Sequence, residues 1–198
     1  MRIGIFGGTF DPPHVGHLIL AEECRTQLHL DRLLWVVTDN PPHKRYVNIS
    51  PIEDRVKLVE KAITDNNAFV LSRVDIDRPA PHFAIDTVNI LKNENPGAQF
   101  FYLMGGDSLH DLPTWNRPKD FIELCDGIGV MRRHADKVDL LTLEKLLPGI
   151  SKKVMVVDAP ILEISSKEIR QRINEKQGYR YYLRDAVYQA IMDLELYL

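Results

Sequence analysis

The sequence has little cysteine, no long apolar run and no excess of positive charge, and each shortage narrows the answer. Its two cysteines, Cys24 and Cys125, lie far apart and form no Cys-x-x-Cys pair. Free buried thiols in a reducing cytosol are expected rather than a disulfide. No run of 18 apolar residues exists, so no membrane span is expected. The start, Met-Arg-Ile-Gly-Ile-Phe-Gly-Gly, soon turns polar and lacks the apolar stretch and cleavage site of a secretion signal. A cytoplasmic location follows as an expectation. Lys and Arg number 25 against 28 Asp and Glu. With that slight negative balance and no dense basic run, nucleic acid is not an expected partner. An anionic ligand must be held by a few placed groups. No Gly-Lys-Ser/Thr loop, Gly-x-Gly-x-x-Gly element or Ser-His-Asp arrangement stands out, and no repeat or clear linker divides the chain.

What is present is an alternation of apolar runs and helical stripes. Arg2–Phe6, Leu33–Val37, Phe69–Val74, Gln99–Met104, Gly127–Met131 and Lys153–Val157 read as buried strands. A helix is predicted from about Val15 to Leu28, with Leu20, Cys24 and Leu28 on one face. Ser50-Pro51-Ile52-Glu53 has the form of a capping box, opening a helix striped by Ile52, Val56, Val59 and Ile63. Further helices are expected at Ile85–Leu91, Arg117–Leu124, Lys167–Asn174 and Arg184–Leu196, with a short one around Leu140–Leu147 in the otherwise unassigned 133–150. Thr38–Ile49 and Leu109–Arg117 read as long loops. The fold class expected is α/β: a doubly wound, mostly parallel sheet with helices on both faces. One domain over residues 1–198 is expected, its last ~30 residues forming helices packed on the core. Ligands in such folds sit beyond the carboxyl ends of the strands.

The richest segment follows the first strand: Gly7-Gly8-Thr9-Phe10-Asp11-Pro12-Pro13-His14-Val15-Gly16-His17. Its glycines let backbone approach a ligand, and the helix start behind them suits phosphate. His14 and His17, spaced i, i+3, can present both imidazoles to a phosphorus centre. A tight turn or half a metal site are the plainer readings, but no third metal ligand is nearby. Asp11 reads as a loop-shaping acceptor rather than a ligand. Near the C-terminus, Ile164-Ser165-Ser166-Lys167-Glu168-Ile169-Arg170 opens a helix. Ser165 with Glu168 fits a capping box, while serine hydroxyl, helix amides and Arg170 could also converge on an anion.

The first string is similar to the signature of nicotinate mononucleotide adenylyltransferases, within a wider His-x-Gly-His nucleotidyltransferase superfamily of Rossmann-like fold. The second resembles that family's Ile-Ser-Ser-Thr-x-Ile-Arg element, with Lys167 in place of threonine. The resemblance implies transfer of AMP from ATP to nicotinate mononucleotide, with release of pyrophosphate and with Mg²⁺ accompanying ATP. His14, His17, Lys44 and Arg170 are then the catalytic set. Gly7, Gly8, Thr9, Phe10, Gly105, Asp107, Ile164, Ser165 and Ser166 join the two histidines and Arg170 around ATP. Lys44 lies in Pro41-Pro42-His43-Lys44, which matches a loop that brings a basic residue to the phosphates. An ungapped match sets Thr38 where the family has an asparagine on the mononucleotide; Asn40 close by could substitute. Gly105-Gly106-Asp107 matches a ribose-binding Gly-x-Asp. Trp115, beside Asn116, matches a tryptophan that stacks on the pyridine ring. Pro81-His82-Phe83-Ala84-Ile85-Asp86-Thr87 resembles Pro-Ser-Tyr-Thr-x-Asp-Thr, with His82 and Ala84 as departures. The resemblance thus implies a mononucleotide set of Thr38, Asn40, Lys44, Phe83, Ala84, Asp107, Trp115 and Asn116. Backbone amides near Ala84 and Asn116 are the expected donors to the nicotinate carboxylate.

Two other functions remain open from sequence. One is a related transferase with a phosphopantetheine or phospho-alcohol acceptor; the other is a non-catalytic nucleotide-binding module. A homo-oligomer is left open as well, and no dedicated protein cage for a metal is expected.

Overall fold

The computed structural model describes residues 1–38, 49–132, 139–160 and 162–198. Among these residues six strands form one sheet: β1 (Arg2–Gly8), β2 (Arg32–Val37), β3 (Phe69–Ser72), β4 (Gln99–Gly105), β5 (Gly127–Arg132) and β6 (Val154–Asp158). Their order is β3-β2-β1-β4-β5-β6, and every pairing is parallel. The sheet is thus wholly parallel where mostly parallel was expected. Parallel neighbours need crossovers, and the helices supply them: α1 (Val15–Gln27), α2 (Ile52–Ile63), α3 (Ala84–Glu94), α4 (Gly106–Asp111), α5 (Pro118–Leu124), α6 (Leu140–Leu146), α7 (Ser166–Asn174) and α8 (Asp185–Asp193).

Alternation along each strand builds two cores. On one face Phe6, Leu33, Trp35 and Val37 meet Cys24 of α1, Val59 of α2 and Ile169 of α7. On the other, Ile3, Ile5 and Val36 meet Val88 of α3 and Phe121 of α5. Trp35 is fully buried and takes Phe6 edge-on, with ring centroids 4.9 Å apart. The two cysteines are buried thiols, and burial pushes each up to about 12. Among the described residues no helix is long and apolar enough to cross a membrane.

Several local expectations change. The capping box at Ser50 does not form: Pro51 is the N-cap and its side chain makes no capping bond. Ser50 instead donates its amide to Asp11 Oδ2 at 3.3 Å, and Glu53 pairs with Arg73. Of the loop expected at Leu109–Arg117, only Trp115–Arg117 is one. Leu109 and Leu112 are fully buried, and that burial supports α4 and a 3₁₀ turn over Leu112–Thr114. Most of Thr38–Ile49 lies outside the described residues. Leu20 is half-buried rather than part of the sealed face of α1, because it lines the cleft described below. The final helix, α8, packs on α2; Arg184 at its N-cap pairs with Asp65.

Strand order reverses between β1 and β4, since their crossovers leave in opposite directions. In such sheets this point opens a crevice beyond the carboxyl ends. Gly7 and Gly8 end one bordering strand, and Gly105 ends the other.

Candidate active site

The crevice is a cleft of about 670 Å³, within the size range of small-molecule sites. Its floor is the turn from β1 into α1. Phe10 takes a positive φ of 48°, uncommon for a side chain of that size. Its ring is buried against Trp35, at 5.0 Å, and against His17, at 5.2 Å. A Cβ on Gly8 would come within 2.7 Å of that ring, so glycine is what lets the turn fold back on itself. Phe10 therefore lends backbone to the cleft and its side chain to the core.

His14 is the N-cap of α1, and His17 stands at its third helical position. The His17 amide donates to His14 Nδ1 at 3.3 Å, and the His14 amide donates to His17 Nδ1 at 3.2 Å. This is a reciprocal capping box built from two imidazoles, where Ser and Glu are usual. The rings stack with centroids 3.7 Å apart. Each Nδ1 accepts a hydrogen bond, so each neutral ring carries its proton on Nε2. Both rings line the cleft. Burial lowers the His14 pKa from 6.5 to about 4, so its imidazole is neutral at pH 7. A Cβ on Gly16 would lie 3.0 and 3.1 Å from atoms of the His14 ring, so that glycine makes room for the stack.

The start of α7 forms the facing wall and is stitched to the cradle. Ser165 is its N-cap and accepts from the Glu168 amide at 3.1 Å. The expected reciprocal half of that box is not made, because Glu168 pairs with Arg172 instead. Ser166 Oγ donates to the Pro12 carbonyl at 2.8 Å. Arg170 Nη1 donates to the Asp11 carbonyl at 2.7 Å and lies 3.8 Å from Asp11 Oδ2. Gly105 is the N-cap of α4, and Asp107 sits exposed in its first turn. Every residue assigned to ATP from sequence lines this one cleft.

The mononucleotide set is more dispersed, and only Asp107 of its described members lines the cleft. Thr38 lies beside the cradle, its amide donating to the Gly8 carbonyl at 2.9 Å. Phe83 is the N-cap of α3, and Ala84 is its first residue. Trp115 packs edge-on to Tyr102, with centroids 6.0 Å apart, and also against Phe121. Asn116 is exposed beside it. Asn40 and Lys44 lie outside the described residues.

Two supporting residues escaped the sequence reading. Arg55 of α2 is 1% exposed and donates to the carbonyls of Ser50, Thr9 and Thr38 at 3.0, 2.9 and 2.8 Å. The one available signal was a cation beside the apolar stripe of α2. Tyr197 Oη donates to Asp11 Oδ1 at 2.7 Å. Nothing in its local sequence announces that, because the partners stand 186 positions apart.

Residues 5–172 match the cytidylyltransferase-like family. A Thermomicrobium roseum protein named "Probable nicotinate-nucleotide adenylyltransferase" is 40% identical over 196 residues, covering 99% of this chain and 91% of that one. A Bacillus pumilus protein of the same name is 36% identical over 200 residues, covering 99% and 98%. Among solved structures, a Plasmodium falciparum nicotinic acid mononucleotide adenylyltransferase complexed with NaAD has a TM-score of 0.79. It covers 99% of this chain and 97% of its own at 20% identity, which bears on the fold alone. With a family match over most of its length and full-length relatives of this similarity, the chain belongs to the nicotinate-nucleotide adenylyltransferases of the cytidylyltransferase-like family.

Proposed function

We propose that this protein transfers the adenylyl group of ATP to nicotinate mononucleotide, giving nicotinate adenine dinucleotide and pyrophosphate. The observation that carries the reading is the reciprocal histidine box at the switch point of the sheet. It fixes two Nε2–H donors in a cleft beyond the strand ends without using a charged residue. A 5′-phosphate oxygen of the mononucleotide attacks the α-phosphorus of ATP. As that P–O bond forms, the bond from the α-phosphorus to the bridging oxygen breaks, and pyrophosphate leaves in line with both electrons. No covalent enzyme intermediate is needed, so rate comes from positioning and charge stabilisation.

His14 and His17 donate to the oxygens that gain charge at the α-phosphorus. Arg170 and the α7 start at Ser165–Ser166 hold the outer phosphates, as an N-terminal helix dipole and a guanidinium together can. Asp107 accepts from a ribose diol. Trp115 and the amides around Ala84 and Asn116 take the pyridine carboxylate end. Lys44, outside the described residues, is assigned to the phosphates on sequence alone.

Mg²⁺ fits as a companion of ATP. The Asp11 carboxylate in the cleft is already engaged by Tyr197 and Ser50. Among the described residues no group of three His, Cys, Asp or Glu could cage a metal. Phosphate oxygens and water are the usual Mg²⁺ ligands in such sites; bound with ATP, the ion would neutralise phosphate charge. The whole chain acts as one unit, in the cytoplasm, where ATP is abundant.

The test is pyrophosphate release, monitored by a coupled assay with ATP, Mg²⁺ and nicotinate mononucleotide. Release that depends on the mononucleotide is expected. A folded protein that releases none with this acceptor overturns the proposal.

A further inference from the structure

We infer that Tyr197 is a positioning residue for the ATP phosphate site, acting through the carboxylate of Asp11. Asp11 is 3% exposed, so its charge must be met by protein donors rather than by water. Oδ1 accepts from the Tyr197 hydroxyl at 2.7 Å. Oδ2 accepts from the Ser50 amide at 3.3 Å and faces Arg170 Nη1 at 3.8 Å. Arg170 is meanwhile held to the main-chain carbonyl of Asp11 at 2.7 Å. The carboxylate and the guanidinium are therefore near neighbours without a close ion pair.

That spacing matters chemically. An arginine closed onto a buried carboxylate is neutralised locally and turned away from a phosphate. The Tyr197 hydroxyl supplies the short bond that the carboxylate would otherwise seek from Arg170. Tyr197 sits beyond α8, which packs on α2, and α2 carries Arg55 to the carbonyls of the same cradle. The segment after α8 thus reaches the active-site turn directly, although no motif marks it. The inference rests on reading Arg170 as a ligand of the ATP phosphates.

Tyr197→Phe deletes one oxygen and keeps the ring. Its KM for ATP, and its Kd for a non-hydrolysable ATP analogue by calorimetry, should rise about five- to tenfold, the size of a partly transmitted loss of a charge-assisted bond. The KM for the mononucleotide should stay within about twofold, a change too small to signal a lost contact. Tyr188→Phe removes a hydroxyl from the same C-terminal region, in a side chain packed on Tyr179, and should change neither constant. Deleting Tyr197 and Leu198 together should reproduce the split if the Phe variant is poorly behaved. An unchanged analogue Kd in the folded variant overturns the inference, as does an equal rise in both KM values. Calorimetry does not require turnover. Failure of pyrophosphate release in the unaltered protein would count against the transferase reading, and the analogue titration would still decide the role of Tyr197.

Discussion

Each of the two histidines gives up a nitrogen to the start of its own helix. Each spends Nδ1 on the other's backbone amide, which stiffens the helix start and fixes the proton on Nε2. His17→Asn keeps a capping acceptor but removes the Nε2–H donor. Steady-state kinetics should show kcat falling by roughly 10²–10³, the worth of one lost donor to developing charge. Near-normal turnover in a folded variant refutes the role. His14 adds a pH signature. Its folded-state pKa is lowered to about 4 by burial, against 6.5 when unfolded. Between those values the unfolded chain binds more protons. The stability tied to a neutral His14 is therefore full above pH 6.5 and is lost as pH falls toward 4, by on the order of 3 kcal/mol at the lower end. Urea unfolding at pH 7 and 4.5 measures it, and His14→Asn should flatten the dependence in that window. At this scale the string from Gly7 to His17 was legible in the sequence. The reciprocal box was not, because imidazole capping is rare and depends on ring rotamers that spacing alone does not report.

At the scale of elements, packing at the start of a helix decides how well its side chains are aimed. Gly16→Ala should favour α1, since glycine inside a helix costs roughly 0.5–1 kcal/mol relative to alanine. Yet the new Cβ would press on the His14 ring at 3.0 and 3.1 Å, and the amide of His17 holds that ring in place. The expected outcome is an unchanged or higher Tm with kcat lowered about tenfold, as small misplacements of reacting groups are costly. A kcat equal to wild type would show that the ring has slack.

The first turn of α3 depends on a different contact. Arg78 donates to Asp75 and Thr87 and to the carbonyls of Pro81 and Phe83, and its ion pair with Asp75 is largely buried. Asp75→Ala should cost roughly 3–5 kcal/mol in denaturant unfolding, because it strands a buried guanidinium. A loss under about 1 kcal/mol would mean that water reaches the site. Strands and long helices were legible here because apolar spacing marks them. The helix at Gly106–Asp111 was not, since a single turn held by Leu109 and Leu112 is too short to show a period. The box expected at Ser50 failed because Asp11, distant in sequence, competes for its amide.

At the scale of the whole molecule, the two substrate sets differ in how the fold gathers them. Every ATP residue read from sequence lines one cleft, whereas Trp115, Phe83 and Ala84 stand outside its lining. Phosphate sites attach to strand ends and helix starts, which sequence patterns mark. A pocket for a flat ring depends on how separate loops meet, which they do not. Discrimination between nicotinate and nicotinamide mononucleotide should therefore come from backbone donors near Ala84 and Asn116, since stacking on Trp115 treats both rings alike. Charge-assisted bonds to those donors should favour the acid by about one to three orders of magnitude in kcat/KM. Equal values for the two acceptors would contradict acid specificity and leave adenylyl transfer standing.

The strand order also governs how this protein can be made. β1 lies between β2 and β4, with Ile3 beside Arg32 on one side and Phe100 on the other. A ribosome delivers β2 soon after β1 and β4 much later. Until Gln99–Gly105 emerges, one edge of an apolar strand has no partner, and such edges invite association with other chains. Fragments that end before Gln99 should therefore aggregate through β1 instead of folding. The turn that holds His14 and His17 gains its last contacts, from Ser166, Arg170 and Tyr197, only after Tyr197 has been synthesised.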